Sequence, residues 1–131
     1  MAVNVFLFGL TGGRLGSRMS GQDVLLLHTV GRKSGVERTT PVNYFRDGSN
    51  YILVASNLGK PHHPAWYLNL LRQPSAAIRV GDRTLRVTAR PAGEADYDRL
   101  WRLVSAKNSF YDRYQQQTSR QIPLVILEEV K

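Results

Sequence analysis

The stretch Asp23-Val24-Leu25-Leu26-Leu27-His28-Thr29-Val30-Gly31-Arg32-Lys33-Ser34-Gly35-Val36-Glu37-Arg38-Thr39-Thr40-Pro41-Val42-Asn43-Tyr44-Phe45 reads as strand, basic loop and return strand. Asp23 to Val30 is apolar enough for a buried strand, and Arg38 to Phe45 alternates polar and apolar as a half-buried strand does. Between them, Gly31 and Gly35 permit backbone geometry that other residues resist. Arg32, Lys33 and Arg38 add three cations, and Ser34, Thr39 and Thr40 add hydroxyls. Such a loop suits an anion with several oxygens, such as a phosphate, although the same composition also describes a solvated basic turn.

Working outward, Tyr51 to Ala55 is a β-branched and aromatic strand after the turn Arg46-Asp47-Gly48-Ser49-Asn50. Pro64 suits the first position of a helix running Ala65 to Arg72, because its missing N–H would be unpaired there anyway. Ala76 to Val80 and Thr84 to Ala89 are strands joined by Gly81-Asp82-Arg83. Glu94 to Ala106 carries Tyr97, Leu100, Trp101 and Val104 at helical spacing, with acidic residues in its first turn, where the helix dipole favours them. Asn108 to Gln117 is a short helix or ordered loop, and Ile122 to Leu127 is a sixth strand. The fold expected from this succession is a mainly β, antiparallel core of about six strands with flanking helices, in a single domain spanning 1–131.

Composition limits the function. At 131 residues the chain is long enough to bury about two-thirds of its unfolded surface. Cysteine is absent, which excludes disulfides, thiolate metal sites and cysteine nucleophiles. Eighteen Lys and Arg against ten Asp and Glu leave a net charge of +8, a bias toward anionic partners. Nucleic acid is disfavoured because the aromatics fall in helices and strand interiors rather than among the basic residues. A metal centre is also disfavoured, since the only histidines are His28 and the adjacent His62 and His63. The apolar run Val3 to Leu10 is too short to span a bilayer and lacks a leader's flanks. Residues 1–20 read as a helix and connector, a lid or a peripheral membrane contact, on a cytoplasmic protein.

Three further residues bear on chemistry. Ser56 follows a buried strand and meets the loop before the Pro64 helix, where its hydroxyl either caps a turn or meets a ligand ring. Tyr111 and Tyr114 lie three apart, on one helical face, and either pack or flank a flat substrate.

These landmarks together resemble the deazaflavin-dependent nitroreductase and quinone reductase family of actinobacteria. The resemblance rests on Leu25 to Gly35, Arg38 to Pro41, Arg46-Asp47-Gly48, Ala55-Ser56, Pro64-Ala65-Trp66-Tyr67-Leu68-Asn69-Leu70 and Ile122-Pro123, and extends from about residue 3 to the end. It implies a split β-barrel that binds coenzyme F-420, an 8-hydroxy-5-deazaflavin with a phosphate and an oligoglutamate tail. It implies hydride transfer from the reduced cofactor to a quinone, nitroaromatic or other conjugated electrophile. By position, Arg32, Lys33, Ser34 and Arg38 would hold the phosphate and tail, Thr40, Pro41, Ala55 and Ser56 would line the ring, and Trp66 and Asn69 would face the groove. Ser56, Tyr111 and Tyr114 are the implied catalytic residues. The chain departs from the nitroreductase pattern at Asn43, Asn57 and Asn108, which implies a different acceptor pocket. Rival readings of the same barrel are a non-catalytic F-420 carrier and an FMN or haem binder.

Overall fold

In Asn50–Val54 and Leu124–Glu129, neighbouring apolar residues part company by parity. Tyr51, Leu53, Val125 and Leu127 join one core cluster, while Ile52, Val54, Leu124 and Ile126 join another. Side chains along a strand alternate between faces, so an unbroken apolar run is a strand covered on both sides. The computed structural model, which describes residues 18–19 and 22–131, shows what covers each face.

The strands are β1 (Arg18–Met19), β2 (Gln22–Val30), β3 (Glu37–Asp47), β4 (Asn50–Val54), β5 (Ser75–Val80), β6 (Arg83–Pro91) and β7 (Leu124–Glu129). The helices are α1 (Ala65–Arg72), α2 (Glu94–Lys107) and α3 (Phe110–Gln116). Every pairing is antiparallel, in the order β1-β2-β3-β4-β7-β6-β5, and a further β2–β5 pairing closes six of the strands into a barrel. Closure removes the sheet edges of those six strands as templates for aggregation.

The first cluster fills the barrel. Leu25 and Leu27 of β2 meet Leu53, Ile78, Val87 and Leu127, and α1 contributes Tyr67 and Leu70. The second cluster lies outside the sheet, where Leu100 and Val104 of α2 and Tyr111 of α3 cover Phe45, Ile52, Val54 and Ile126. Fully burying one such side chain stabilises by roughly 1.5–3 kcal/mol, so these two layers dominate stability. The tight packing of α3 onto the barrel wall also fixes Tyr111.

The expected six-stranded split barrel is therefore present, with the two-residue β1 added at its edge. Two boundaries move for physical reasons. The last strand starts at Leu124 rather than Ile122, because Pro123 has no N–H for the ladder; its carbonyl instead accepts from the Ala55 N–H at 3.0 Å. Pro64 precedes α1 as its cap, at φ −68 and ψ 151, and its carbonyl accepts from the Tyr67 N–H. The helix and lid expected over residues 3–10 lie outside the described residues. No helix among the described residues is long and apolar enough to cross a membrane.

Candidate active site

The basic loop is a tightly wound turn. The Gly31 N–H donates to the Val36 carbonyl and the Gly35 N–H to the Gly31 carbonyl, both at 2.8 Å. Gly35 sits at φ +71, where an L side chain would be strained. At Gly31 the limit is space, because an added Cβ would lie 2.6 Å from Ser34 Oγ. Ser34 Oγ accepts from the Val36 N–H at 3.2 Å. Lys33 and Arg38 stand exposed on this frame.

Arg32 is tethered from below. Its backbone N–H and its Nη1 both donate to Asn69 Oδ1, at 3.1 and 3.0 Å, and Asn69 Nδ2 donates to Thr29 Oγ1 at 3.4 Å. Asn69 is only 4% exposed. The helix-motif asparagine therefore sits beneath the loop and aims Arg32.

Beside the loop opens a cleft of about 1030 Å³. Arg32, Thr40 to Asn43 of β3, Pro64 to Trp66 of the α1 entry and Leu68 line it. Ser56 to Leu58, His62–His63, Asn108, Phe110, Tyr111 and Tyr114 line it as well. Of the residues expected from the sequence, the cleft brings together Arg32, Thr40, Pro41, Ser56, Trp66, Tyr111 and Tyr114. Lys33 and Ser34 remain on the adjoining loop and Arg38 at the start of β3, and Ala55 lies fully buried behind the wall.

Tyr111 is buried, its ring edge-on to Phe45 and to Tyr114 with both centroids 5.9 Å away. Its hydroxyl accepts from Asn43 Nδ2 at 3.0 Å. Burial pushes the Tyr111 phenol up from its ordinary pKa; the Asn43 bond opposes the shift and the neighbouring Tyr114 adds to it. Tyr111 thus keeps its proton at neutral pH. Asn43, one of the departures from the nitroreductase pattern, is the residue that orients it.

Sequence reasoning missed Arg120. The turn after β4 places Asn57, Leu58 and Gly59 in succession at φ 48, 58 and 77, a strained path for the two non-glycine residues. Arg120 holds it: Nε donates to the Lys60 carbonyl at 3.0 Å, Nη2 to the Ser56 carbonyl at 2.7 Å and Nη1 to the Ala55 carbonyl at 3.2 Å. Nη1 also donates to His63 Nδ1 at 2.8 Å, and the His63 ring lies 4.9 Å from that of Tyr67. Desolvation lowers the pKa of Arg120; desolvation, then the Arg120 charge, lowers that of His63. Nothing in the polar stretch Thr118 to Gln121 marks Arg120 in advance, since its partners are mainly carbonyls some 60 residues away in sequence. Among the described residues no group of three or more His, Asp or Glu is arranged to hold a metal ion.

The family model described as F420H(2)-dependent quinone reductase matches residues 3–129. The chain is 46% identical over 121 residues to an F420H(2)-dependent quinone reductase of Mycobacterium tuberculosis, covering 89% of this chain and 81% of that relative. A solved structure of an F-420-H2 dependent reductase superimposes with a TM-score of 0.73 at 35% identity, covering 80% of this chain and 93% of that one. A heme storage protein of Vibrio cholerae shares the fold alone, at 15% identity and a TM-score of 0.59 over 82% of each chain.

Proposed function

The chain belongs to the F420H(2)-dependent quinone reductase family, and from that premise we propose that it reduces a quinone with hydride from reduced F-420 bound across the loop and cleft. One observation carries this reading: Arg32 belongs at once to a rigid cationic loop and to a cleft lined by aromatic and apolar side chains. A ligand with a flat head and an anionic tail matches both parts, and the residues present fit F-420. Arg32, Lys33, Ser34 and Arg38 would hold its phosphate and glutamates, with Asn69 positioning Arg32. Thr40, Pro41, Ser56 and Trp66 would flank the ring, with Ala55 supporting that wall.

When bound and reduced, the deazaflavin supplies a hydride as a two-electron donor. The protein's share is orientation, exclusion of water and control of protons. Tyr111, kept protonated by burial and aimed by Asn43, presents a phenol at the cleft wall. Tyr114, partly exposed beside it, gives that phenol a route to exchange protons with solvent. A planar quinone, which needs one hydride and one proton, matches these rings and the apolar Pro41, Val42, Val54 and Leu68 that also line the cleft. Nitroaromatics are expected to be poorer acceptors, because asparagines stand at 43, 57 and 108, where the resemblance places two tyrosines and a lysine.

The test is anaerobic mixing of the protein with reduced F-420 and menadione, following cofactor oxidation and menadiol formation together. Stoichiometric, catalytic oxidation is expected. Absence of oxidation across a panel of quinones, with F-420 shown to be bound, would leave a carrier and overturn the reductase reading.

A further inference from the structure

His63 sits in the cleft wall with one ring nitrogen committed. Its Nδ1 lies 2.8 Å from Arg120 Nη1, and a guanidinium has five N–H donors and no acceptor. The contact is a hydrogen bond only if Nδ1 carries a lone pair. In a neutral imidazole the proton is then on Nε2. Among the described residues no group accepts from that Nε2. Desolvation and the Arg120 charge both hold the ring below its ordinary pKa, so it is neutral at pH 7. Stacking on Tyr67 at 4.9 Å and the anchorage of Arg120 on three backbone carbonyls fix where the ring stands.

We propose that His63 is a catalytic residue of the quinone reduction, its Nε2–H donating a hydrogen bond to the acceptor's carbonyl oxygen, with Arg120 as the positioning residue that sets the tautomer. The inference rests on the quinone reductase reading above. Hydride delivered to one quinone oxygen would form its O–H bond, while the ring's π electrons shift, the opposite C=O π bond opens and the negative charge develops on that second oxygen. A neutral N–H donor placed at that oxygen stabilises the charge without giving up its proton. The Tyr111 phenol, exchanging protons with solvent beside Tyr114, would then protonate the resulting phenolate to the hydroquinone. Triosephosphate isomerase, a standard example of a neutral histidine used as an electrophile, shows the same chemistry on an unrelated fold.

Three variants separate this role from a structural one. His63→Asn keeps an acceptor oxygen near the Nδ1 position and removes the far donor, so its kcat with menadione should fall on the order of 10²-fold while F-420 affinity is kept. His63→Gln places an amide N–H near the Nε2 position and should recover most of that loss. His63→Phe, which keeps the ring against Tyr67, should behave like His63→Asn. Nitrogen-15 NMR of the wild-type protein should show the Nε2–H tautomer, and its Nε2–H resonance should move when menadione is titrated in with oxidised F-420 present. An Nδ1–H tautomer, an unmoved resonance, or His63→Asn turning over like wild type would each overturn the proposal. Failure of the wild type to oxidise reduced F-420 would instead overturn the reductase reading, and the NMR titration would still decide on His63.

Discussion

Arg120 is the residue whose removal should be felt most widely, and Arg120→Met tests it because methionine preserves much of the bulk and none of the donors. Four hydrogen bonds disappear, to the carbonyls of Ala55, Ser56 and Lys60 and to His63 Nδ1, at 3.2, 2.7, 3.0 and 2.8 Å. At about 1 kcal/mol net for each bond they would sum to about 4 kcal/mol. Lys60 is exposed and water replaces its bond cheaply, which brings the expected loss to about 3 kcal/mol. For a domain of this size about 1 kcal/mol corresponds to roughly 4 °C, so Tm should fall by about 12 °C. Differential scanning calorimetry reads this directly. Arg120→Lys should recover only part of the loss, because an ammonium cannot span acceptors arranged for a planar fork. A Tm for Arg120→Met within about 2 °C of wild type would refute the idea that this guanidinium holds the strained turn.

Two further perturbations test the loop support and the surface charge. Asn69→Ala removes the oxygen that accepts twice from Arg32 and should lower Tm by roughly 6–8 °C, from about 1.5–2 kcal/mol of lost hydrogen bonding. The same variant should weaken F-420 binding several-fold, and unchanged calorimetry together with unchanged affinity would count against a tethered Arg32. Asp47 accepts from Arg99 through both oxygens, at 2.9 and 3.1 Å, and these bonds hold its carboxyl below the ordinary pKa despite partial desolvation. A carboxylate whose pKa is lowered by folding stabilises the fold above its unfolded pKa and loses that contribution as pH falls through the folded value. The stability gap between wild type and Asp47→Asn in urea titrations should therefore be present at pH 7 and close as pH is lowered below about 4; a gap that widened in acid would contradict the pairing.

Much of the barrel is legible because its strands state their environment in their composition. Leu124 to Leu127 and Tyr51 to Val54 are apolar on both parities, and the structure covers both faces. The basic loop is equally legible, since Gly31, Arg32, Lys33 and Gly35 stand between two strands that pair as a hairpin, with Arg38 at the start of the second. Boundaries at proline are less so: Pro123 reads as part of a strand until one asks where its missing N–H would bond. The site divides in the same way. Arg32, Thr40, Pro41, Ser56, Trp66, Tyr111 and Tyr114 line one cleft, while Asn69 lies beneath the loop and Ala55 is buried behind the wall. Arg120 was illegible because its role is to bind carbonyls, and a backbone carbonyl leaves no mark in the sequence. His63 looks like one of a pair of ordinary loop histidines until Arg120 is found against its Nδ1.

The central claim is that the cationic loop takes the charged tail of F-420 while the cleft takes its ring. Fluorescence titration of the protein with intact F-420, and with the same deazaflavin stripped of its phosphate and glutamates, tests that claim most directly. At about 1 kcal/mol per exposed ion pair, the double variant Lys33→Ala with Arg38→Ala should bind intact F-420 roughly 30-fold more weakly than wild type. Added salt should weaken the intact cofactor's binding to wild type and leave the stripped compound's binding nearly unchanged. Equal affinities for the two compounds, unaffected by salt or by the double substitution, would contradict it.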